Sequence, residues 1–111
     1  MRIQSFESLK DGWHNGDGNT VTRQAVVAAE RLLSARPRLA GSYHIYPTDA
    51  GGVLFEFVHS GWDYSVETGP DGKIEIYGVQ VDGPGDLETK VFPSIDEDTL
   101  KFLDGLTGDS R

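Results

Sequence analysis

Apolar and polar residues alternate through most of residues 42–81. That period of two, interrupted by glycine-bearing turns, predicts a run of antiparallel strands. Residues 42–48 alternate, 53–59 and 62–68 alternate more strongly, and 73–81 alternate with a change of phase near Gly78. Turn sequences separate them: Asp49-Ala50-Gly51-Gly52, Ser60-Gly61 and Gly69-Pro70-Asp71-Gly72. Asp82-Gly83-Pro84-Gly85 then breaks the chain, residues 86–92 read as an edge strand, and Pro93 closes it.

Upstream the period lengthens to that of a helix. Thr20 or Thr22 caps a helix running to about Ala35, with Ala25, Val26, Ala29, Leu32 and Leu33 as its apolar stripe and Pro37 as its stop. Ser5 is positioned to cap a short helix that stops at Asp11-Gly12. Ser94-Ile95-Asp96-Glu97 reads as a capping box opening a last helix to about Asp104, stopped by Gly105. Asp96, Glu97 and Asp98 suit the positive end of that helix, so this acidic run has a structural explanation. These elements predict an α+β fold over residues 1–111 as a single domain. Its antiparallel meander sheet has four to five strands, with the helix of about 22–35 packed on one face and short helices at the termini.

Turn lengths then set the register. A two-residue turn at Ser60-Gly61 pairs Phe57 with Tyr64 and Phe55 with Val66. Three-residue turns ending in Gly72 and Gly51 bring Val66 beside Ile76, Ile45 beside Phe55 and Tyr43 beside Phe57. All three hairpins keep one parity. The core face becomes Tyr43, Ile45, Val53, Phe55, Phe57, Trp62, Tyr64, Val66, Ile74 and Ile76. The opposite face carries one row of His44, Glu56, Ser65 and Tyr77, a second of Tyr46, Leu54, Glu67 and Glu75, and Asp63 beside Val58. Glu67 and Glu75 come out directly opposed, which costs a few tenths of a kcal/mol. Aromatic residues interleaved with carboxylates suit a basic protein partner, so Glu56, Asp63, Glu67, Glu75, Tyr46, Tyr77 and His44 are the candidate binding residues. The same face also reads as ordinary half-exposed sheet, or as surface partly covered by the last helix or the edge strand.

Charge sharpens this picture. Residues 1–40 hold six Arg/Lys against four Asp/Glu, a charge of +2, whereas residues 41–111 hold four against fourteen, a charge of −10; together they give the −8 of the chain. Acid spread through strand-like segments makes a structured acidic surface. It disfavours direct nucleic-acid binding; the basic cluster of Arg31, Arg36 and Arg38 fits a solvated helix end. With no cysteine, disulfides, thiolate metal sites and cysteine nucleophiles are excluded. Eleven aromatic residues are enough to anchor one packed core. The N-terminus has no apolar run of signal-peptide length and no stretch approaches a membrane span, so a cytoplasmic protein that does not engage membranes is expected.

Reaction chemistry finds little footing. Asn15, Asp17 and Asn19 alternate like the start of a calcium loop, but Thr20 stands at the sixth position and Val26 at the twelfth, where glycine and a bidentate glutamate are needed. His14, His44 and His59 lack zinc spacing. His44 beside Glu56 makes a surface pair or an acid/base pair. Glu67 and Glu75 as a glycosidase pair have no cleft to work in. Ser42, Ser60 and Ser65 lack a nucleophile elbow, and Gly51-Gly52 precedes a strand where a phosphate loop precedes a helix. No enzyme, metal or cofactor is expected.

The string Leu9-Lys10-Asp11-Gly12-Trp13-His14-Asn15-Gly16, followed by the helix and then by Tyr46-Pro47-Thr48-Asp49-Ala50-Gly51-Gly52-Val53-Leu54-Phe55-Glu56-Phe57, resembles a family of small uncharacterised bacterial and phage proteins. That family shows a GWDG loop, a helix and a PT-x-x-GGV-x-x-E-(W/F) hairpin; His14 stands here where the family has an acid. The resemblance covers roughly residues 9–76 and implies the same fold. It also implies company with mobile or phage-derived genes, hence a binding or inhibitory role. The expected function is a small acidic protein-binding module, an inhibitor or antitoxin/immunity-type protein engaging a basic partner such as a nuclease or toxin. Two alternatives are a nucleic-acid-mimicking inhibitor of a nuclease or defence complex and a small-molecule binder, which needs a deep pocket between sheet and helix.

Overall fold

Thr22 fixes where the main helix begins and where it lies. In the computed structural model, which describes residues 6, 8, 9, 12, 13, 19–37 and 44–107, its backbone is extended and its Oγ1 accepts from the N–H of Ala25 at 3.1 Å. That bond satisfies one of the donors a helix start leaves unpaired, worth about 1 kcal/mol. The same hydroxyl donates to the carbonyl of Pro70 at 2.7 Å, and the N–H of Thr22 donates to the carbonyl of Gly51 at 3.1 Å. One capping residue therefore ties α1 (Arg23–Ala35) to two hairpin turns. Arg36 ends the helix, its N–H returning to the carbonyl of Leu32. Of the two threonines open to the capping role, the structure uses Thr22.

Five strands follow: β1 (His44–Pro47), β2 (Val53–His59), β3 (Trp62–Thr68), β4 (Ile74–Gln80) and β5 (Asp86–Phe92). They pair antiparallel in chain order as one meander, β5 taking the edge. The turns behave as their sequences require. Ser60 and Gly61 both have positive φ, 51° and 79°, as a two-residue turn matched to strand twist demands. Gly51 and Gly72, at φ 94° and 85°, each close a three-residue turn.

Each expected pairing holds among the described residues: Phe57 with Tyr64, Phe55 with Val66, Val66 with Ile76, Ile45 with Phe55. The Tyr43 pairing lies outside them.

The inner face packs on α1. Phe55, Val53, Val66, Ile74 and Ile76 are fully buried against Ala25, Val26, Ala29 and Leu32. Burying each such side chain contributes about 1.5–3 kcal/mol for the larger ones, so this layer dominates stability. Trp62 and Ile45 are only partly buried. Thr68, absent from the expected core, is fully buried, and its hydroxyl donates to the carbonyl of Ala25 at 3.0 Å.

Two expectations need correction. No phase change occurs at Gly78: β4 keeps its parity, and glycine is present because a Cβ there would lie 2.7 Å from the Tyr64 ring. The irregularity is in β5, where Glu88 and Thr89 together lie opposite Tyr77 as a bulge. The last helix, α2 (Glu97–Thr107), is capped by Asp96, not Ser94, and continues through Gly105. The carboxylate of Asp96 accepts from the N–H of Thr99 at 3.1 Å. That bond, foremost, holds its pKa below the ordinary 3.8. Most of the short N-terminal helix falls outside the described residues, although Phe6 is buried in the core.

α2 lies on the α1 side of the sheet: Leu103 joins the core, and Phe102 meets Phe92 with ring centroids 5.7 Å apart. Its last turn places Asp104 at the negative end of the helix, an unfavourable position for a carboxylate. Arg36 compensates, with Nε 2.7 Å from Oδ1 and Nη2 bonding Oδ2, while Nη1 donates to the carbonyl of Ala35. This fork joins the ends of the two helices. No helix among the described residues is long and apolar enough to cross a membrane.

Asp104→Ala and Arg36→Ala are each expected to lower unfolding stability by about 1–3 kcal/mol. The double variant should lose far less than their sum, as urea denaturation of all four proteins would measure.

Candidate functional site

With both helices on one side, the other face of the sheet has no described helix over it. The sheet's period of two sends His44 and Tyr46 (β1), Leu54, Glu56 and Val58 (β2), Asp63, Ser65 and Glu67 (β3), and Glu75, Tyr77 and Val79 (β4) to that face. The expected rows are the observed ones. His44, Glu56, Ser65 and Tyr77 follow one another across four strands, as do Tyr46, Leu54, Glu67 and Glu75. Asp63 lies between Val58 and Val79. All seven sequence-predicted site residues share this face. Among these eleven positions there are four carboxylates and no lysine or arginine.

The polar contacts tie part of the face together. The hydroxyl of Tyr46 donates to Oε1 of Glu56 at 3.2 Å, diagonally from one row to the next. Burial first, and then the charge of Glu56 and its bond, push the Tyr46 pKa up, with Tyr77 and Asp63 adding to it. Glu67 is also displaced upward, by burial first and by the charge of Glu75 second. Oδ1 of Asp63 is buried with no hydrogen-bond partner among the described residues. Apolar side chains stand between these groups: Val58, Val79 and Val91 are 66%, 49% and 56% exposed, and Tyr46 is 39% exposed.

Ser65 is the feature that the sequence reading placed but did not single out. It points outward yet is only 7% exposed, because larger side chains stand around it. Glu56 and Tyr77 flank it across the sheet, and Asp63 and Glu67 flank it along β3. Its small size between four bulky neighbours was the available signal. Val79 was missed because a change of phase was expected at Gly78, and Val91 because its place on this face depends on how β5 pairs around the bulge.

Other candidate chemistry is dispersed. His59 sits opposite Trp62 on the inner parity, away from His44. His14, Asn15 and Asp17 lie outside the described residues. No group of three or more His, Asp or Glu among the described residues could hold a metal ion. A hollow of about 470 Å³ opens on the helix side, lined by Arg23, Val27, Arg31 and Ile95 among others. A second, of about 640 Å³, borders Arg36, Leu100, Lys101 and Asp104. Neither lies between the sheet and α1.

The raised pKa of Glu67 has a definite sign in stability. The folded protein holds this proton more tightly than the unfolded chain does, so stability falls as pH rises from about 4.5 through the raised folded value. Glu67→Gln removes that loss. It should stabilise the protein near pH 7 by roughly 0.2–1 kcal/mol, with the gain shrinking in acid below the carboxylate range. Glu75→Gln should give a smaller gain, since burial outweighs the Glu75 charge. Chemical denaturation of the three proteins across the acid range checks both.

No protein-family model, curated protein or solved structure matches the chain, so the reading of this face rests on its own residues.

Proposed function

We propose that the protein is a non-enzymatic, cytoplasmic binding module that docks a basic protein surface onto the outer face of its sheet, acting as an inhibitor or an antitoxin/immunity-type protein. One observation carries the reading: a sheet face with no described helix over it gathers Glu56, Asp63, Glu67 and Glu75 with Tyr46 and Tyr77 and holds no lysine or arginine at those positions. Carboxylates steer a cationic partner and set its orientation, while tyrosines and exposed valines supply area that is buried on contact. Strands about 4.8 Å apart and about 3.3 Å per residue give this face roughly 500 Å². A standard interface needs about 800 Å² from each partner, so a complex extends onto the flanking turns.

Nucleic-acid mimicry receives less support from the same geometry. Asp63 and Glu67 are four residues apart, roughly 13 Å along β3, with Ser65 between them. They form no evenly spaced row of charge. A small-molecule site would need a pocket between sheet and helix, and neither of the two hollows described above lies there.

Replacing Glu56, Glu67 and Glu75 together by Gln should abolish capture of the partner from a lysate of the source cells. It should also slow association about tenfold or more at low ionic strength. A control removing equal charge elsewhere (Asp71→Asn, Glu97→Gln, Asp98→Asn) should retain the partner. Undiminished capture by the first variant defeats the proposal.

A further inference from the structure

We propose that the hollow between α1 and the chain entering α2 binds an acidic peptide segment in extended form, with two carboxylates four residues apart and an apolar residue midway. The hollow opens on the helix side of the sheet, so this site is separate from the docking face and does not depend on it. One wall is a single stripe of α1, where Arg23, Val27, Ala28 and Arg31 recur at helical spacing. Ser94 and Ile95 form the opposite wall, and the turn at Asp71 and Gly72 borders it. Its volume of about 470 Å³ lies in the range of ligand sites.

Charge and apolarity together select the occupant. Arg23 and Arg31 bracket the stripe, about 12 Å apart along the helix axis. Of the basic cluster at the helix end, Arg36 is held by Asp104, whereas Arg31 lines the hollow. The positions three and four residues from Arg31 on α1 are Val27, Ala28, Ser34 and Ala35, so its own helix offers it no acid. No described residue forms an ion pair with it. The single carboxylate in the described lining, Asp71, has Lys73 Nζ 3.8 Å from its Oδ2. The hollow is therefore locally cationic in a chain of net charge −8. Between the arginines the surface is apolar: Val27 is 43% exposed, with buried Ala28 and half-buried Ile95 beside it.

An extended peptide rises about 3.3 Å per residue, so carboxylates four residues apart stand about 13 Å apart. Both project from the same side as the residue midway. That span matches the arginine pair and sets the midway side chain over Val27 and Ile95. A small inorganic anion leaves the apolar surface uncovered. A nucleic-acid strand meets two arginines and then Asp96, Glu97 and Asp98 just past Ile95, which repel it.

The probe is a heptapeptide blocked at both ends, with glutamate at its second and sixth positions, leucine at the fourth and serine elsewhere. Titrated into the full-length, isotope-labelled protein at low ionic strength, it should shift amides centred on residues 23–31 and 94–95. Replacing its leucine by serine should weaken binding about tenfold. Moving its glutamates to the third and fifth positions should weaken binding about fivefold. Arg31→Gln should weaken the parent peptide about fivefold and remove the preference between the two spacings, whereas Lys90→Gln, an equal loss of charge on exposed β5, should leave affinity unchanged. Absence of binding, or shifts centred elsewhere, overturns the site. So does indifference to the leucine, to the glutamate spacing or to Arg31→Gln. None of these results touches the docking face, because the probe carries no cation.

Discussion

Strand parity is the constraint from which the rest of this molecule follows. Successive side chains alternate between faces, so a one-residue slip at the β2–β3 hairpin would turn Asp63 and Glu67 into the core and expel Tyr64 and Val66. An unpaired carboxylate in an apolar interior costs several kcal/mol or forfeits its charge. A domain of this size has only about 5–15 kcal/mol of net stability to lose. Slippage is therefore excluded, and the turns enforce the exclusion. Left-handed backbone at Ser60 and Gly61, and at Gly51 and Gly72, fixes turns of two and three residues. The acidic face is the complement of the packed one.

Which face stays open depends on the helices, and here a few polar contacts decide. Thr22 binds the turn carbonyls of Gly51 and Pro70, which anchors the start of α1 over the inner side of β2, β3 and β4. Arg36, at the far end of α1, holds Asp104 of α2. The second helix is thus tied to the first on the same side. The sheet keeps one wet side because both helix ends are fastened to the dry one.

Much of this was legible in the sequence because the informative signals were local. Alternation, turn composition and turn length together set the described partners of β2, and those of β3 with β4 as far as Ser65 and Tyr77. What escaped depended on contacts between distant residues. Gly78 looked like a break in the pattern, yet it is a core position emptied to admit the Tyr64 ring. Ser94 and Asp96 offered overlapping capping frames two residues apart. The choice fell to Asp96, whose frame buries Thr99 completely and lets its hydroxyl reach the carbonyl of Ser94 at 2.7 Å. Thr68 was absent from the expected core, but a buried hydroxyl is acceptable where a helix carbonyl can receive it. The face residues were legible as a set; the burial of Ser65 among them needed the side chains around it.

Two classes of acid can be separated by what ionisation does to the fold. Asp96 titrates below its ordinary value because its charged form accepts helix N–H groups, so the fold gains from that charge. Asp104 engages Arg36, and Asp71 accepts the N–H of Lys73 at 3.0 Å within its turn. Those carboxylates are explained by structure. Glu67 is displaced the opposite way, Glu75 stands directly against it, and Asp63 keeps a buried oxygen unbonded among the described residues. For Glu67 the folded state is worse off with the charge than without it, and glutamine or threonine would serve the sheet as well. The proposed docking face thus differs from the acidic run 96–98, whose first carboxylate the helix start explains: on this face Glu67 carries a charge that the fold does not favour and that stands directly against Glu75.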